Sequence, residues 1–215
     1  GPFSDLTFGE VKPPSGGVAP DARTGFNKEG YNWQASVALQ HELRPNMALN
    51  VGYYRTWYGN FQVTDNLAFT PADYDHFCIT APTDSRPPSA ISGQPICGLY
   101  DIKPEKFGQV NNLTTLASHY GKRSEVYNGV DVGLNTRFGQ GGMFQGGVSM
   151  GRTVEEACAV VDQPQDAETG FGLTIGGTTP GYCRVSRPWA AATQLKFMVV
   201  YPLPWSLQTS AIYQN

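Results

Sequence analysis

The stretch Tyr31–Leu43, which reads YNWQASVALQHEL, alternates between apolar and polar side chains along its whole length. Its odd positions are Tyr31, Trp33, Ala35, Val37, Leu39, His41 and Leu43, and all of them except the histidine are apolar. A period of two is typical of a β-strand with one apolar and one polar face. Strands of soluble domains usually contain about 5–6 residues, whereas a tilted strand that spans a bilayer needs about 9–11. The stretch therefore predicts a long strand of the membrane-spanning kind.

The same alternation recurs along the chain. The predicted strands are Tyr31–Leu43, Met47 to about Tyr58, Tyr127–Phe138, a fourth that carries Phe144 to Val154, Thr193–Tyr201, and a sixth that carries Leu207 to Tyr213. Short turns alternate with long connections, at residues 60–126 and about 155–192, which an antiparallel meander places at opposite ends of the sheet. Outer-membrane barrels have this asymmetry. The predicted fold is an all-β, antiparallel meander of long strands over residues 1–215, a segment of a transmembrane β-barrel with two long extracellular loops.

Aromatic residues of the apolar phase fall near the strand ends. Tyr31, Trp33 and Trp57 lie toward the long connections, and Phe138, Phe144, Tyr201 and Trp205 lie toward the short turns. Two such bands are typical of the girdles at the two membrane–water interfaces. The alternative is an aromatic core, although a core more often places its large rings mid-strand. Arg55, Arg152 and His41 interrupt the apolar phase, and both arginines lie where their side chains can reach lipid headgroups.

Four cysteines, Cys78, Cys97, Cys158 and Cys183, lie in the long connections. None belongs to a C-x-x-C pair, so neither a zinc site nor a redox motif is indicated. Of the three possible connectivities, we expect Cys78–Cys97 and Cys158–Cys183, because each pair then closes its own loop. Disulfides imply an oxidising compartment, and the alternative is four free thiols in the cytosol.

Composition narrows the classes of function. The chain has 215 residues and a net charge of −3, which offers no electrostatic basis for a nucleic-acid partner. No apolar run is long enough to predict a transmembrane helix. Residues 1–30 contain no signal peptide, so we expect either a cytosolic protein or the mature piece of a longer precursor. No nucleotide-binding motif occurs, and no cofactor is predicted.

One stretch matches a catalytic pattern. Gly147–Gly151 reads GVSMG, the G-x-S-x-G of the hydrolase nucleophile elbow, with Ser149 as the candidate nucleophile. That fold orders its triad as Ser, acid, His, whereas all three histidines of this chain precede Ser149. A strand with Ser149 on its polar face is therefore favoured. A serine hydrolase or esterase that uses Ser149 is the alternative. It would require a convergent triad, and a short helix at Thr153–Val161 after the strand would fit it.

A second cluster has metal-ligating side chains. Asp73, Asp75 and His76 offer the oxygen and imidazole ligands of a divalent cation. A solvated loop is the favoured interpretation, so no metal site and no catalytic residue are predicted.

Five stretches carry a family resemblance. They are TGFNKEGYNWQASVALQHELRPNMALNVGYYRTWYGNFQVTDN, ADYDHFCITAP, GLYDIKPEKFGQVNN, YGKRSEVYNGVDVGLNTRF and FQGGVSMGRT. On these stretches the chain resembles the barrel of TonB-dependent outer-membrane receptors, in particular the group whose precursors carry an N-terminal carboxypeptidase-regulatory-like domain. The resemblance covers most of residues 1–215 and is specific for the barrel, not for a substrate.

The resemblance implies a place in the bacterial outer membrane and energy-coupled uptake of a bulky nutrient, such as a metal chelate, glycan or peptide. The implied partners are outer-membrane lipid, the remainder of the parent barrel and its plug, and, through the parent, the energy-coupling protein. Such barrels have about twenty-two strands, and six cannot close one. We therefore expect an internal segment, with its last strand cut at Asn215. A soluble β-sheet binding domain is the main alternative.

Overall fold

The structure, a computed structural model, describes residues 16–83, 92–159, 163–167 and 183–215. The chain divides into two compact units. The first unit falls within Gly1–Gly30, Asn60–Arg123 and Ala157–Cys183, and the second comprises Tyr31–Gly59, Ser124–Glu156 and Arg184–Asn215. The long connections therefore build the first unit, and the long strands build the second.

The described residues are mostly β-strand, which confirms the prediction of an all-β chain. The strands are β1 Gly16–Val18, β2 Tyr31–Arg44, β3 Met47–Gly59, β4 Gln62–Asn66, β5 Tyr74–Thr80, β6 Pro95–Ile102, β7 Asn112–Leu116, β8 Ser124–Phe138, β9 Gly142–Glu156, β10 Arg184–Ser186, β11 Gln194–Pro202 and β12 Gln208–Gln214. The same described residues also contain two helices of one turn each, α1 Pro20–Arg23 and α2 Pro164–Ala167, and 3-10 turns at Pro71–Asp73, Pro104–Lys106, Ala117–His119 and Trp189–Ala192.

The second unit is one antiparallel sheet of seven strands in the order β12-β11-β9-β8-β3-β2, with β10 also paired to β9. We call it the large sheet. All six predicted strands are present in it, with ends that differ by a few residues. The largest difference is at β8, which begins at Ser124 instead of Tyr127. Among the described residues β2 and β12 are edge strands, so the sheet is open and closure into a barrel is not seen.

The register places the apolar residues of the large sheet on one face. Leu39 lies opposite Val51, which lies opposite Val132, and the same row continues through Val148 to Leu195. Successive residues of a strand point to opposite faces, so the intervening polar residues share the other face. This confirms that the odd residues of β2 and the even residues of β8 form one face of a continuous sheet.

The buried apolar core of the described residues lies in the first unit. It comprises Ala19, Ala22, Val63, Phe69, Tyr74, Ala81, Ala117, Ala157 and Cys183. In the large sheet, by contrast, Trp33, Val37 and Leu39 are 62%, 66% and 64% exposed. Burial of apolar area stabilises a fold by roughly 25 cal/mol per Å². These three residues of the edge strand β2 therefore gain little of this stabilisation from the described chain, whereas Val51, Val132 and Val148 of the inner strands are half-buried.

The first unit contains both predicted disulfides, Cys78–Cys97 and Cys158–Cys183. Cys78 and Cys97 join the β5–β6 hairpin, and a second sheet has the order β1-β7-β4. Strand β1 runs parallel to β7, so the expectation of antiparallel pairing throughout is wrong at this position. The prediction that residues 60–126 form a loop is wrong, because strands β4 to β7 lie within them. The described part of residues 155–192 contains α2, the short strand β10 and a 3-10 turn.

Candidate functional site

The polar face of the large sheet contains a groove of about 550 Å³. Its polar lining residues are Gln40, Asn50, Tyr54, Asp131, Ser149, Gln194 and Lys196. A second hollow of about 750 Å³ extends toward the short turns and shares Gln40 with the first. Amides, hydroxyls and one charge of each sign are suited to hydrogen bonding with a polar ligand.

Small residues form the floor of this groove. Ala38 lies opposite Gly52, and Gly133 lies opposite Gly147 on the neighbouring strands. A Cβ atom on Gly52 would lie 2.8 Å from the hydroxyl of Tyr54, so the glycine lets that ring lie flat against the sheet. The floor is therefore bare backbone, which a ligand can approach closely.

We predict that Gly147→Ala destabilises the large sheet by about 1–3 kcal/mol. The added Cβ would lie 2.5 Å from the carbonyl oxygen of Val132, and backbone atoms must then shift. Gly133→Ala is the matched control, because the nearest atoms to its Cβ, in Asn50 and Gly146, are 3.9 Å away. Urea titration followed by tryptophan fluorescence measures both variants. Equal destabilisation would contradict the steric explanation.

Apolar residues occupy the short-turn end of the polar face. Met143 lies opposite Val200, and Met198 lies opposite Ile212, which is 76% exposed. These residues break the alternation of β11 and β12, so the groove ends in an apolar patch.

Ser149 lies inside β9, opposite Asp131 on β8 and Gln194 on β11. The nucleophile elbow requires a sharp turn from a strand into a helix, and an uninterrupted strand has no such turn. The alternative helix at Thr153–Val161 is also wrong at its start, because β9 continues to Glu156, and its last two residues lie outside the described ones. Ser149 is a hydroxyl that lines the groove.

Two of the three candidate metal ligands, Asp73 and His76, have other structural roles. Asp73 accepts hydrogen bonds from the Thr70 backbone N–H at 2.8 Å and the Thr70 hydroxyl at 2.9 Å. His76 packs against the ring of Tyr100, with centroids 4.3 Å apart. Among the described residues no group of three His, Cys, Asp or Glu side chains could hold a metal ion. The hydrogen bonds from Thr70 show that the role of Asp73 is to cap the 3-10 turn Pro71–Asp73.

The cap makes the Asp73 carboxyl sensitive to substitution of Thr70. The pKa of Asp73 is lowered mainly by the hydrogen bond from the Thr70 backbone N–H. The Thr70 hydroxyl and Lys106 lower it further. Its contribution to stability is therefore full above about pH 4 and lost as the pH falls through the folded-state pKa. We predict that Thr70→Ala raises the pKa of Asp73 toward its usual value, measured by NMR titration of the carboxyl. An unchanged pKa would show that the hydroxyl contributes nothing.

A hydrogen-bonded network in the first unit joins three residues that no sequence pattern connects. His119 Nε2 lies 2.9 Å from Asp21 Oδ2, and His119 Nδ1 lies 3.1 Å from the Thr115 hydroxyl. The order carboxylate, imidazole, hydroxyl resembles a catalytic triad. Thr115 is only 3% exposed, however, so its hydroxyl is closed to a substrate. These hydrogen bonds connect α1 to the end of β7. Asp21 and His119 are far apart in sequence, so no local sequence pattern predicts their contact.

The register sets the distance between the aromatic bands of the large sheet. Trp33 lies opposite Trp57, whose neighbour on β8 is Val126, and Phe144 lies opposite Thr136 on β8. The two β8 positions are ten residue steps apart, which corresponds to about 34 Å along the strand. With the tilt of about 40° usual in barrels, the bands would be about 26 Å apart, close to the height of the apolar band of an outer-membrane barrel.

Of the remaining predicted girdle residues, Tyr31 begins β2, Phe138 ends β8 and Tyr201 lies near the end of β11. The rings of Phe138 and Tyr201 are 6.4 Å apart. Trp205 lies in the turn between β11 and β12 and is 89% exposed.

No protein-family model, curated protein or solved structure matches this chain. Among the described residues no helix is long and apolar enough to cross a membrane.

Proposed function

We propose that this chain is a segment of an outer-membrane β-barrel receptor that takes part in energy-coupled uptake of a bulky nutrient. In this proposal the apolar face of the large sheet meets outer-membrane lipid, and the polar face lines the lumen. The resemblance of the sequence to TonB-dependent receptors supports the assignment. The partners it implies are the other strands of the barrel, the plug and the energy-coupling protein.

The observation that carries the proposal is an apolar sheet face on which, among the described residues, no hydrophobic side chain is fully buried. Trp33, Val37 and Leu39 are each more than half exposed, as is Tyr201 at 53% near the short turns. An exposed apolar surface of this kind marks a site of contact with protein or membrane. The strand lengths favour membrane, because β2, β3, β8 and β9 have 13–15 residues, more than a bilayer requires.

The free edges of the large sheet support its membership of a larger barrel. Strands β2 and β12 each pair on one side only among the described residues. In lipid every unsatisfied backbone group costs several kcal/mol, so a membrane sheet must close on itself. The proposal therefore requires further strands beside both edges.

The ends of the large sheet differ as those of an outer-membrane barrel do. Short turns join β2 to β3, β8 to β9 and β11 to β12. The first two turns are neighbours, since the N–H of Arg137 donates to the carbonyl of Asn46 at 2.9 Å. The long connections leave from the opposite end. Short periplasmic turns and long extracellular segments are the expected arrangement.

In the proposed barrel the groove would form a ligand-binding surface on the lumen side of the large sheet. Its amides and hydroxyls, with Asp131 and Lys196 as the charged groups, can hydrogen-bond a polar nutrient that passes along the barrel wall. The small residues of its floor leave space for a bulky one.

Depth-dependent quenching of tryptophan by brominated lipids tests the proposal. In the full chain with its four tryptophans changed to phenylalanine, a single tryptophan is placed at position 57, 132 or 135. Position 132 lies mid-strand on the apolar face, and position 135 lies on the polar face. In phosphatidylcholine vesicles we expect Trp57 to be quenched best by shallow bromines and Val132→Trp by deep ones, and Asn135→Trp to be quenched weakly.

Two results would contradict the membrane assignment. Equal quenching at positions 132 and 135 would mean that the two faces do not differ in contact with lipid. A chain that folds without lipid or detergent and shows no quenching at any position would favour a soluble β-sheet binding domain.

A further inference from the structure

A row of three polar side chains crosses the apolar face of the large sheet near the long connections. Arg55 on β3 lies opposite Asn128 on β8, and Asn128 lies opposite Arg152 on β9. We call these three residues the arginine row. Along each strand it lies two residues from the row of Trp57 and Val126, toward the middle of the strands.

The arginine row presents donors and no free acceptor. The Tyr53 hydroxyl donates to Asn128 Oδ1 at 2.7 Å, and Arg55 Nη1 approaches the same oxygen at 3.5 Å. The amide nitrogen of Asn128, which can only donate, is left for another partner. Arg152 lies with its guanidinium carbon 5.6 Å from the ring centroid of Trp189, and its Nε is buried without a hydrogen-bond acceptor.

Among the described residues neither guanidinium group has a counter-ion. The ion pairs seen there, such as Lys106 with Asp73 and Arg184 with Glu156, do not include Arg55 or Arg152. Two positive charges on an otherwise apolar surface are costly unless an anion balances them. The charge and the donor geometry both fit a phosphate group, which guanidinium binds with paired hydrogen bonds.

We infer that the arginine row binds the phosphate group of a membrane lipid whose acyl chains lie along the adjacent apolar face. This inference rests on the proposed function, because it requires the face to meet lipid. Arg55 and Arg152 are two strand spacings apart, about 10 Å between their backbones, so both side chains can reach one phosphate above Asn128. A phosphomonoester, with a charge near −2 at neutral pH, balances the two guanidinium charges.

The surroundings of the arginine row select a lipid over a free anion. The next row toward mid-sheet consists of Val37, Tyr53, Val130 and Met150, which offer hydrocarbon contact beside the phosphate position. On the other side lies the aromatic row of Trp33 and Trp57, at the level of lipid headgroups in the proposed orientation. Phosphate and hydrocarbon are thus bound side by side, as in an amphiphile.

Native mass spectrometry of the full chain in non-ionic detergent micelles tests the inference. The probes are phosphatidic acid, phosphatidylcholine, oleate and inorganic phosphate. We expect phosphatidic acid to bind most tightly, and Arg55→Gln or Arg152→Gln to weaken its binding about tenfold each, since each removes charged hydrogen bonds. The matched control is Arg137→Gln, which removes the same charge from the polar face of β8 and should leave binding unchanged.

The outcomes separate this inference from the proposed function. Equal weakening by Arg137→Gln, unchanged binding in the Arg55→Gln/Arg152→Gln double variant, or equal binding of oleate overturns the lipid site. Displacement of phosphatidic acid by millimolar inorganic phosphate would mean a free-anion site and overturns it as well. Bromolipid quenching of Trp57 measures insertion separately. Insertion without a preference for phosphatidic acid overturns the lipid site alone, whereas failure to insert overturns the proposed function and this inference together.

Discussion

Arginine in place of Val132 is expected to lower the free energy of unfolding in a bilayer by about 2–4 kcal/mol. Val132 lies mid-strand on the apolar face, opposite Val51 on β3 and Val148 on β9. A guanidinium placed there must give up its hydration or draw water and headgroups into the hydrocarbon, and either change is costly. Urea titration in phosphatidylcholine vesicles, followed by tryptophan fluorescence, measures the difference.

Asn135→Arg is the matched control for this prediction. Asn135 is on the same strand but on the polar face, opposite Ala48 and Gln145, and its side chain is exposed. Its replacement should change stability by less than about 0.5 kcal/mol, the usual range for surface substitutions. Similar losses in the two variants, or a large loss from Val132→Arg in a chain folded without lipid, would contradict the assignment of the apolar face to lipid.

The long strands could be predicted from sequence because side-chain alternation and strand geometry express the same period. The alternation that begins at Tyr31 predicted an end at Leu43, and β2 ends one residue later. For β8 the sequence predicts a start at Tyr127, three residues after the observed start, because Ser124 and Glu125 are both polar and show no alternation. Connection lengths predicted the order of the hairpins but not the extra strand β10, which has only three residues.

The first unit could not be predicted in the same way. Its strands β4 and β7 have five residues each, too few for a period to stand out. Much of its core consists of alanines, such as Ala22, Ala117 and Ala157, which carry little hydropathy signal. The parallel pairing of β1 with β7 joins segments far apart in sequence, and no local pattern encodes such a contact.

The candidate sites show the same division. The sequence placed Arg55 and Arg152 on the apolar phase of their own strands. Only the register across three strands puts Asn128 between them. The groove likewise depends on Gly133 and Gly147 meeting on adjacent strands. The periodicity of a single strand predicts which face of the sheet each side chain lies on. It does not predict which residues of neighbouring strands lie side by side, and that register determines a site.

Loss of either disulfide is expected to lower the free energy of unfolding of the first unit by about 3 kcal/mol. The partners are separated by 19 residues in Cys78–Cys97 and by 25 in Cys158–Cys183. Closing loops of these similar lengths restricts the unfolded chain by similar amounts. Paired replacement by alanine, which adds no polar group, followed by urea titration tests this. An unchanged midpoint after replacement or reduction would contradict it.

A local measurement distinguishes the two disulfides. The N–H of Ala157 donates to the carbonyl of Cys183 at 2.9 Å, directly beside the Cys158–Cys183 bond, and both residues are buried. Without that bond the two segments are still joined by this hydrogen bond, by the adjoining pairing of Glu156 in β9 with Arg184 in β10, and by nearby packing. We expect Cys158→Ala/Cys183→Ala to lower hydrogen-exchange protection at Ala157, which lies at the end of that pairing. Cys78→Ala/Cys97→Ala should leave that protection intact, because the lost bond lies within the β5–β6 hairpin. Equal protection at Ala157 in the two double variants would mean that the β9–β10 pairing and packing hold the segments without the disulfide.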